Sequence, residues 1–166
     1  MSDNTLDQFT GYIESLCAKH VDILHTEEDP RFIELNSEKQ MARSKSQLYP
    51  LVTLDKLTIS YTGDEDATRK NRMVEMLFLE LISDPNDDVA ISDAKNKMES
   101  VAEDFIRKMK VDKKNRAVYP FLKTLKVSDM TIDYAENEDK GLYGVLLSFS
   151  FELPFIMQLV NGRFND

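Results

Sequence analysis

Cysteine, histidine and glycine are scarce in this chain, and basic residues are outnumbered. Its 166 residues include one cysteine, two histidines and five glycines. The lone Cys17 excludes an intrachain disulfide and a multi-cysteine metal site, which suits a reducing compartment. His20 and His25, five residues apart on a helical pattern, lie about 140° apart around the axis, so they do not form a two-ligand zinc face. Gly11, Gly63, Gly141, Gly144 and Gly162 are dispersed, and none builds a glycine-rich phosphate cradle before a helix. Neither a metal nor a cofactor is expected. The longest apolar runs reach about ten residues, roughly half a membrane span. Met1-Ser2-Asp3-Asn4 lacks the basic and apolar regions of a secretory signal. Lys and Arg total 21 against 30 Asp and Glu, a formal charge of −9. Such a balance disfavours nucleic acid and anionic lipid as partners.

Nucleophilic catalysis needs an activated Cys or Ser beside a base. Cys17 adjoins an apolar stripe, where a thiol behaves as a small hydrophobe. Ser148 and Ser150 fall mid-strand, away from any sharp turn. With two histidines as bases, an enzyme is not expected, nor is a small-molecule partner.

What the chain does contain is a pattern written twice. Tyr49-Pro50 precedes Leu57-Thr58-Ile59-Ser60-Tyr61 and the acidic run Asp64-Glu65-Asp66. Tyr119-Pro120 precedes Met130-Thr131-Ile132-Asp133-Tyr134 and the acidic run Glu136-Asn137-Glu138-Asp139. Apolar stretches follow both, Met73 to Ile82 and Leu142 to Leu153. Each copy reads as a hairpin that the Tyr-Pro pair opens and the acidic run tips. Val145, Leu147, Phe149, Phe151 and Leu153 alternate with Leu146, Ser148, Ser150 and Glu152, a clear strand. The repeat argues for strand over Met73 to Ile82 as well.

Two helices complete the pattern. Leu6, Phe9, Ile13, Leu16, His20 and Ile23/Leu24 mark one from Thr5 to about His25, ended by Asp29-Pro30. Met98, Val101, Phe105, Ile106 and Met109 mark another from about Ala94 to Lys110, with Ser92-Asp93 as its cap. Between them, Phe32, Ile33 and Leu35 fit a short edge strand, and Ser37 to about Ser44 a short helix.

The fold class implied is α+β: a two-layer sandwich in which two helices cover one face of an antiparallel sheet of about four main strands, ordered α-ββ-α-ββ. One domain over 1–166 is expected, with halves at 5–82 (irregular insert 27–47) and 90–154 and a tail at 155–166. The same order follows from moving the first strand of a ferredoxin-like fold to its end.

Two features stand out as candidate interfaces. The first hairpin tip is bipolar, Asp64, Glu65 and Asp66 followed by Arg69, Lys70 and Arg72, and opposed charge blocks can pair between head-to-tail copies. The tail carries Phe155, Ile156, Met157 and Leu159, too apolar to be left in water.

In element order and hairpin style, residues 5 to 154 resemble the tail-terminator and tail-completion proteins of bacteriophages. That resemblance implies a homo-oligomeric ring, commonly of six subunits, that contacts other tail or neck proteins. It also implies residence in the bacterial cytoplasm during assembly and then in the virion. Two other readings stand beside it. One is a small-ligand-binding or enzymatic ferredoxin-like domain using Tyr61 and Tyr134. The other is an acidic immunity or inhibitor protein directed at a basic toxin.

Overall fold

The computed structural model describes residues 5–34, 48–64 and 68–154. In chain order these form α1 (Thr5–Lys19), β1 (Phe32–Glu34), β2 (Leu51–Thr62), β3 (Arg69–Leu81), α2 (Asp88–Asp112), β4 (Thr131–Asn137) and β5 (Leu142–Pro154). The class is α+β, a mixed sheet covered on one face by two helices.

The described sheet has five strands in the order β1-β2-β3-β5-β4. Four of them are antiparallel neighbours, as the alternating patterns require. The fifth, β1, is the short edge strand at Phe32 and Ile33, and it corrects the four-stranded antiparallel expectation by pairing parallel to β2. Parallel pairing needs a long connection, and sixteen residues (35 to 50) separate Glu34 from Leu51. The expected helix from Ser37 lies outside the described residues.

Period two decides which side chains meet the helices. Val52, Leu54, Val74, Met76, Phe78, Val145, Leu147, Phe149 and Phe151 share one sheet face and are buried. Against them lie Phe9, Ile13, Leu16 and Cys17 of α1 and Met98, Val101, Ala102, Phe105 and Met109 of α2. Phe9 packs on Phe149 and Phe151, with ring centroids 6.1 and 5.2 Å apart, and Phe105 on Phe78 at 5.0 Å. Burying each such ring stabilises by about 2–3 kcal/mol. β3 is a strand over its whole length, paired residue by residue with β5 from Arg69↔Pro154 to Leu81↔Leu142. Gly144 permits this contact, because a Cβ there would sit 1.9 Å from the Phe78 carbonyl oxygen.

Three boundaries differ from the sequence expectation. The first helix ends at Lys19, short of His25. A turn follows in which Leu24 takes φ 52° and His25 N–H bonds the Cys17 carbonyl. The turn returns Ile23 to the core, so the apolar spacing outlasts the helix. The second helix begins at Asp88, six residues ahead of Ala94 (94 minus 88), because Asp87 rather than Ser92 accepts the free Ala90 N–H. Finally, Tyr119-Pro120 opens no hairpin. Pro120 starts a 3-10 turn whose Phe121 and Leu122 are buried, and β4 begins only at Thr131.

Candidate interaction surfaces

The first hairpin runs out past the helices. From Thr58 to Asp64 every residue of this segment is exposed, whichever face it takes. Ile59 and Tyr61, in phase with the buried Val52 and Leu54 after a bulge at Asp55, are 45% and 55% exposed. The cause is simple: the apolar pattern continues where no described helix covers it. β1 covers only Val52 to Leu54 of the outer edge of β2. Among the described residues, Lys56 to Thr62 therefore form an edge strand.

The bipolar tip separates into different environments. Asp64 is exposed just after Gly63, whose φ of 102° makes the turn. Glu65 and Asp66 lie outside the described residues. Arg69 pairs with Glu152 of β5 at 2.7 Å, so it serves the sheet. Lys70 is half-buried. Arg72 corrects the picture of an exposed basic block, since it is 3% exposed on the helix-facing side, between Ile59 and Phe151 in register. Its phase with Val74, Met76 and Phe78 was the signal that charge alone concealed. Phe155, Ile156, Met157 and Leu159 also lie outside the described residues.

The opposite edge is β4. Tyr134 is 63% exposed there, and its hydroxyl donates to Glu99 of α2 at 3.0 Å. That hydrogen bond raises the phenol's pKa. Lys95 pairs with Glu136 at 2.7 Å and lies over the Tyr134 and Tyr143 rings. Below, Ile106, Met130 and Ile132 with Glu103 and Arg107 line an open groove of about 410 Å³. Among the described residues, the three grooves lined by Tyr12 and Tyr119, by His20 and Phe105, and by Ile106 and Ile132 include neither Tyr61 nor Tyr134. β5 continues beyond β4, and there the Thr124 hydroxyl takes the place of a strand. It accepts from Glu152 N–H at 2.8 Å and donates to the Glu152 carbonyl.

His20, His25, Cys17 and Tyr12 each have partners within the fold. His20 Nδ1 accepts from Asp22 N–H at 3.2 Å while Nε2 faces Asp104 at 3.5 Å. His25 repeats the arrangement, Nδ1 accepting from Arg31 N–H at 3.0 Å and Nε2 facing Glu14 at 3.4 Å. Each ring thus has both nitrogens facing a partner within the fold. Burial, and then the charge of Glu14, push the Cys17 thiol well above its ordinary range, so it stays protonated. Burial, and then Asp112, do the same to Tyr12, whose hydroxyl donates to Asp112 at 3.0 Å. Lys108 completes that cluster at 2.6 Å from Asp112, tying α1 to the last turn of α2. A residue separation of 100 hid this contact from sequence reasoning. Beside it, Gly11, Tyr12, Ser15, Tyr119 and Phe121 line an open groove of about 460 Å³.

Among the described residues no group of three or more His, Cys, Asp or Glu is placed to hold a metal ion. Nor is any helix there long and apolar enough to cross a membrane. The chain matches no protein-family model, no curated protein and no solved structure.

Proposed function

We propose that this chain is a phage or prophage virion-assembly subunit, a tail-terminator or tail-completion protein that works through protein–protein contacts in a ring of its own copies. The observation that carries the reading is the exposed arm of β2. An edge strand that none of the described strands or helices covers, with apolar side chains on one face, is a template for contact with another chain. Ile59 and Tyr61 provide that apolar face. A site for catalysis has no comparable support, since the histidines, the thiol and Tyr12 are all committed to the fold.

Within this reading the two αββ halves are copies of one unit, and the ring is joined by the first hairpin tip and the apolar tail from Phe155 to Leu159, with other tail or neck proteins stacked on it. The subunit is made in the bacterial cytoplasm and carried into the virion. Mass photometry of the full chain over a range of concentrations tests the reading. A discrete closed oligomer supports it, and a strict monomer that binds no tube or head protein refutes it.

A further inference from the structure

Charge is spread unevenly along the chain. Residues 107–126 hold eight Lys and Arg and one acidic residue, Asp112, whereas the rest holds 13 basic residues (21 minus 8) and 29 acidic ones (30 minus 1). A local excess of one sign in a chain of the other sign is a candidate contact surface. Four of the eight cations serve the fold. Arg107 pairs with Glu103 and Asp104, Lys108 with Asp112 and Lys126 with Asp129, and Lys113 donates to the Leu125 carbonyl. The other four, Lys110, Lys114, Arg116 and Lys123, are exposed. Lys110 suits the negative end of α2. Lys114, Arg116 and Lys123 lie beyond that end and flank residues 117–121, one wall of the groove at Tyr12. The facing wall, from α1, is uncharged: Gln8, Gly11, Tyr12 and Ser15. Val118, which lines the groove with Tyr119 and Phe121, is 57% exposed.

The far end of α2 carries the opposite charge, about 37 Å away along its 25 residues. Ile82 N–H donates to the Gly141 carbonyl at 2.8 Å, which sets the loop into α2 beside the β4–β5 turn. Asp84, Asp87, Asp88, Glu138 and Asp139 gather there with Lys140, and all are exposed. Lys95 and Lys97 nearby are paired with Glu136 and Glu80. Amid these carboxylates Val89 is 71% exposed. One end is thus an aromatic groove flanked by cations, and the other an apolar knob flanked by carboxylates.

We infer that the acidic end of one copy, Asp84 to Val89 with Glu138 and Asp139, docks in the Tyr12–Tyr119 groove of the next. Val89 against the tyrosine rings forms an apolar centre, and the charges form its rim. Exposed ion pairs alone contribute little, but complementary rims orient the encounter and exclude the like-ended pairing. The two surfaces differ, so the contact is heterologous and closes into a ring when its rotation permits. A net charge of −9 disfavours a polyanion in the same groove. The inference rests on the assembly reading and adds a second contact to that of the β2 arm.

Chains carrying Arg116→Glu/Lys123→Glu have two acidic ends, and chains carrying Glu138→Lys/Asp139→Lys two basic ones. By mass photometry each alone should assemble about tenfold more weakly than the unaltered chain, and an equimolar mixture should recover assembly. Gly11→Leu tests the groove without changing charge. A Cβ at Gly11 meets nothing within 4 Å, and leucine favours the helix, so assembly should weaken by a similar factor while the urea midpoint does not fall. Variants that all assemble like the unaltered chain, or a mixture no better than either variant alone, overturn the contact and leave the assembly reading standing. An unaltered chain that stays monomeric overturns both. A labelled single-stranded oligonucleotide that binds the unaltered chain but not Arg116→Glu/Lys123→Glu assigns the groove to a polyanion and also overturns the contact.

Discussion

The two hairpins share a sequence pattern and do different work. In the second, β5 sits between two strands with Val145, Leu147, Phe149 and Phe151 sealed under the helices. In the first, β2 begins under the helices and ends outside them, with Ile59 and Tyr61 exposed. The tyrosines show the divergence most simply. Tyr61 is second from the end of its ladder, paired with Lys70, whereas Tyr134 is fourth from its turn, paired with Val145. The same five-residue motif thus builds a protruding arm in one place and a helix-braced edge in the other. Covering layer, rather than strand sequence, decides between them.

The largest expected effect would break the second hairpin. Gly144→Val drives a side chain into the Phe78 carbonyl and should cost about 4 kcal/mol or more, read from urea denaturation. Next, Phe149→Ala should cost about 3–5 kcal/mol. Ile59→Ala on the arm should stay within about 0.5 kcal/mol, as exposed positions do. Equal losses at the two sites would erase the distinction between hairpins.

A pH experiment examines the helix layer that covers β5 but not the arm. Tyr12 is an acid whose folded pKa lies above its unfolded value, so the folded state holds its proton while the unfolded state loses it above about pH 10. Stability should therefore fall as pH rises through that range, by up to about 1.4 kcal/mol per pH unit from this group. Tyr12→Phe should flatten the decline seen in thermal melts, leaving the part Cys17 adds from about pH 9. A slope unchanged by the substitution contradicts the assigned clamp. Smallest of all, Arg69→Ala should cost no more than about 1 kcal/mol, and less in high salt, because its pair with Glu152 is solvent-exposed.

Periodicity made much of this fold legible. The stripe of Phe9, Ile13 and Leu16, the alternation of Val145 to Phe151 and the edge strand at Phe32 and Ile33 all appear where their spacing puts them. The repeat argued for strand over Met73 to Ile82 despite its helix-favouring Met, Leu and Glu, and the strand does run there, ending at Leu81. Contacts between distant residues were illegible. Nothing local reveals that Tyr12 meets Asp112, that Thr124 clasps Glu152, or that Phe121 and Leu122 leave the repeat to enter the core. Charge misled at Arg72, where strand phase was the better guide. Of candidate interfaces, the sequence singled out the hairpin tip and the tail from Phe155 to Leu159, the latter outside the described residues. The strand edges at Ile59 and Tyr134 needed the sheet order to be recognised.

The central claim is that the β2 arm is kept for contact between copies and the sealed face of β5 for the fold. Particle mass and urea midpoint, measured together on the unaltered chain and on Ile59→Ser/Tyr61→Ser, test it most directly. The account predicts a discrete oligomer that becomes a monomer in the variant, with the urea midpoint that the unaltered chain shows when diluted to monomer. An oligomer that persists in the variant, or an unaltered chain that never assembles, would contradict it.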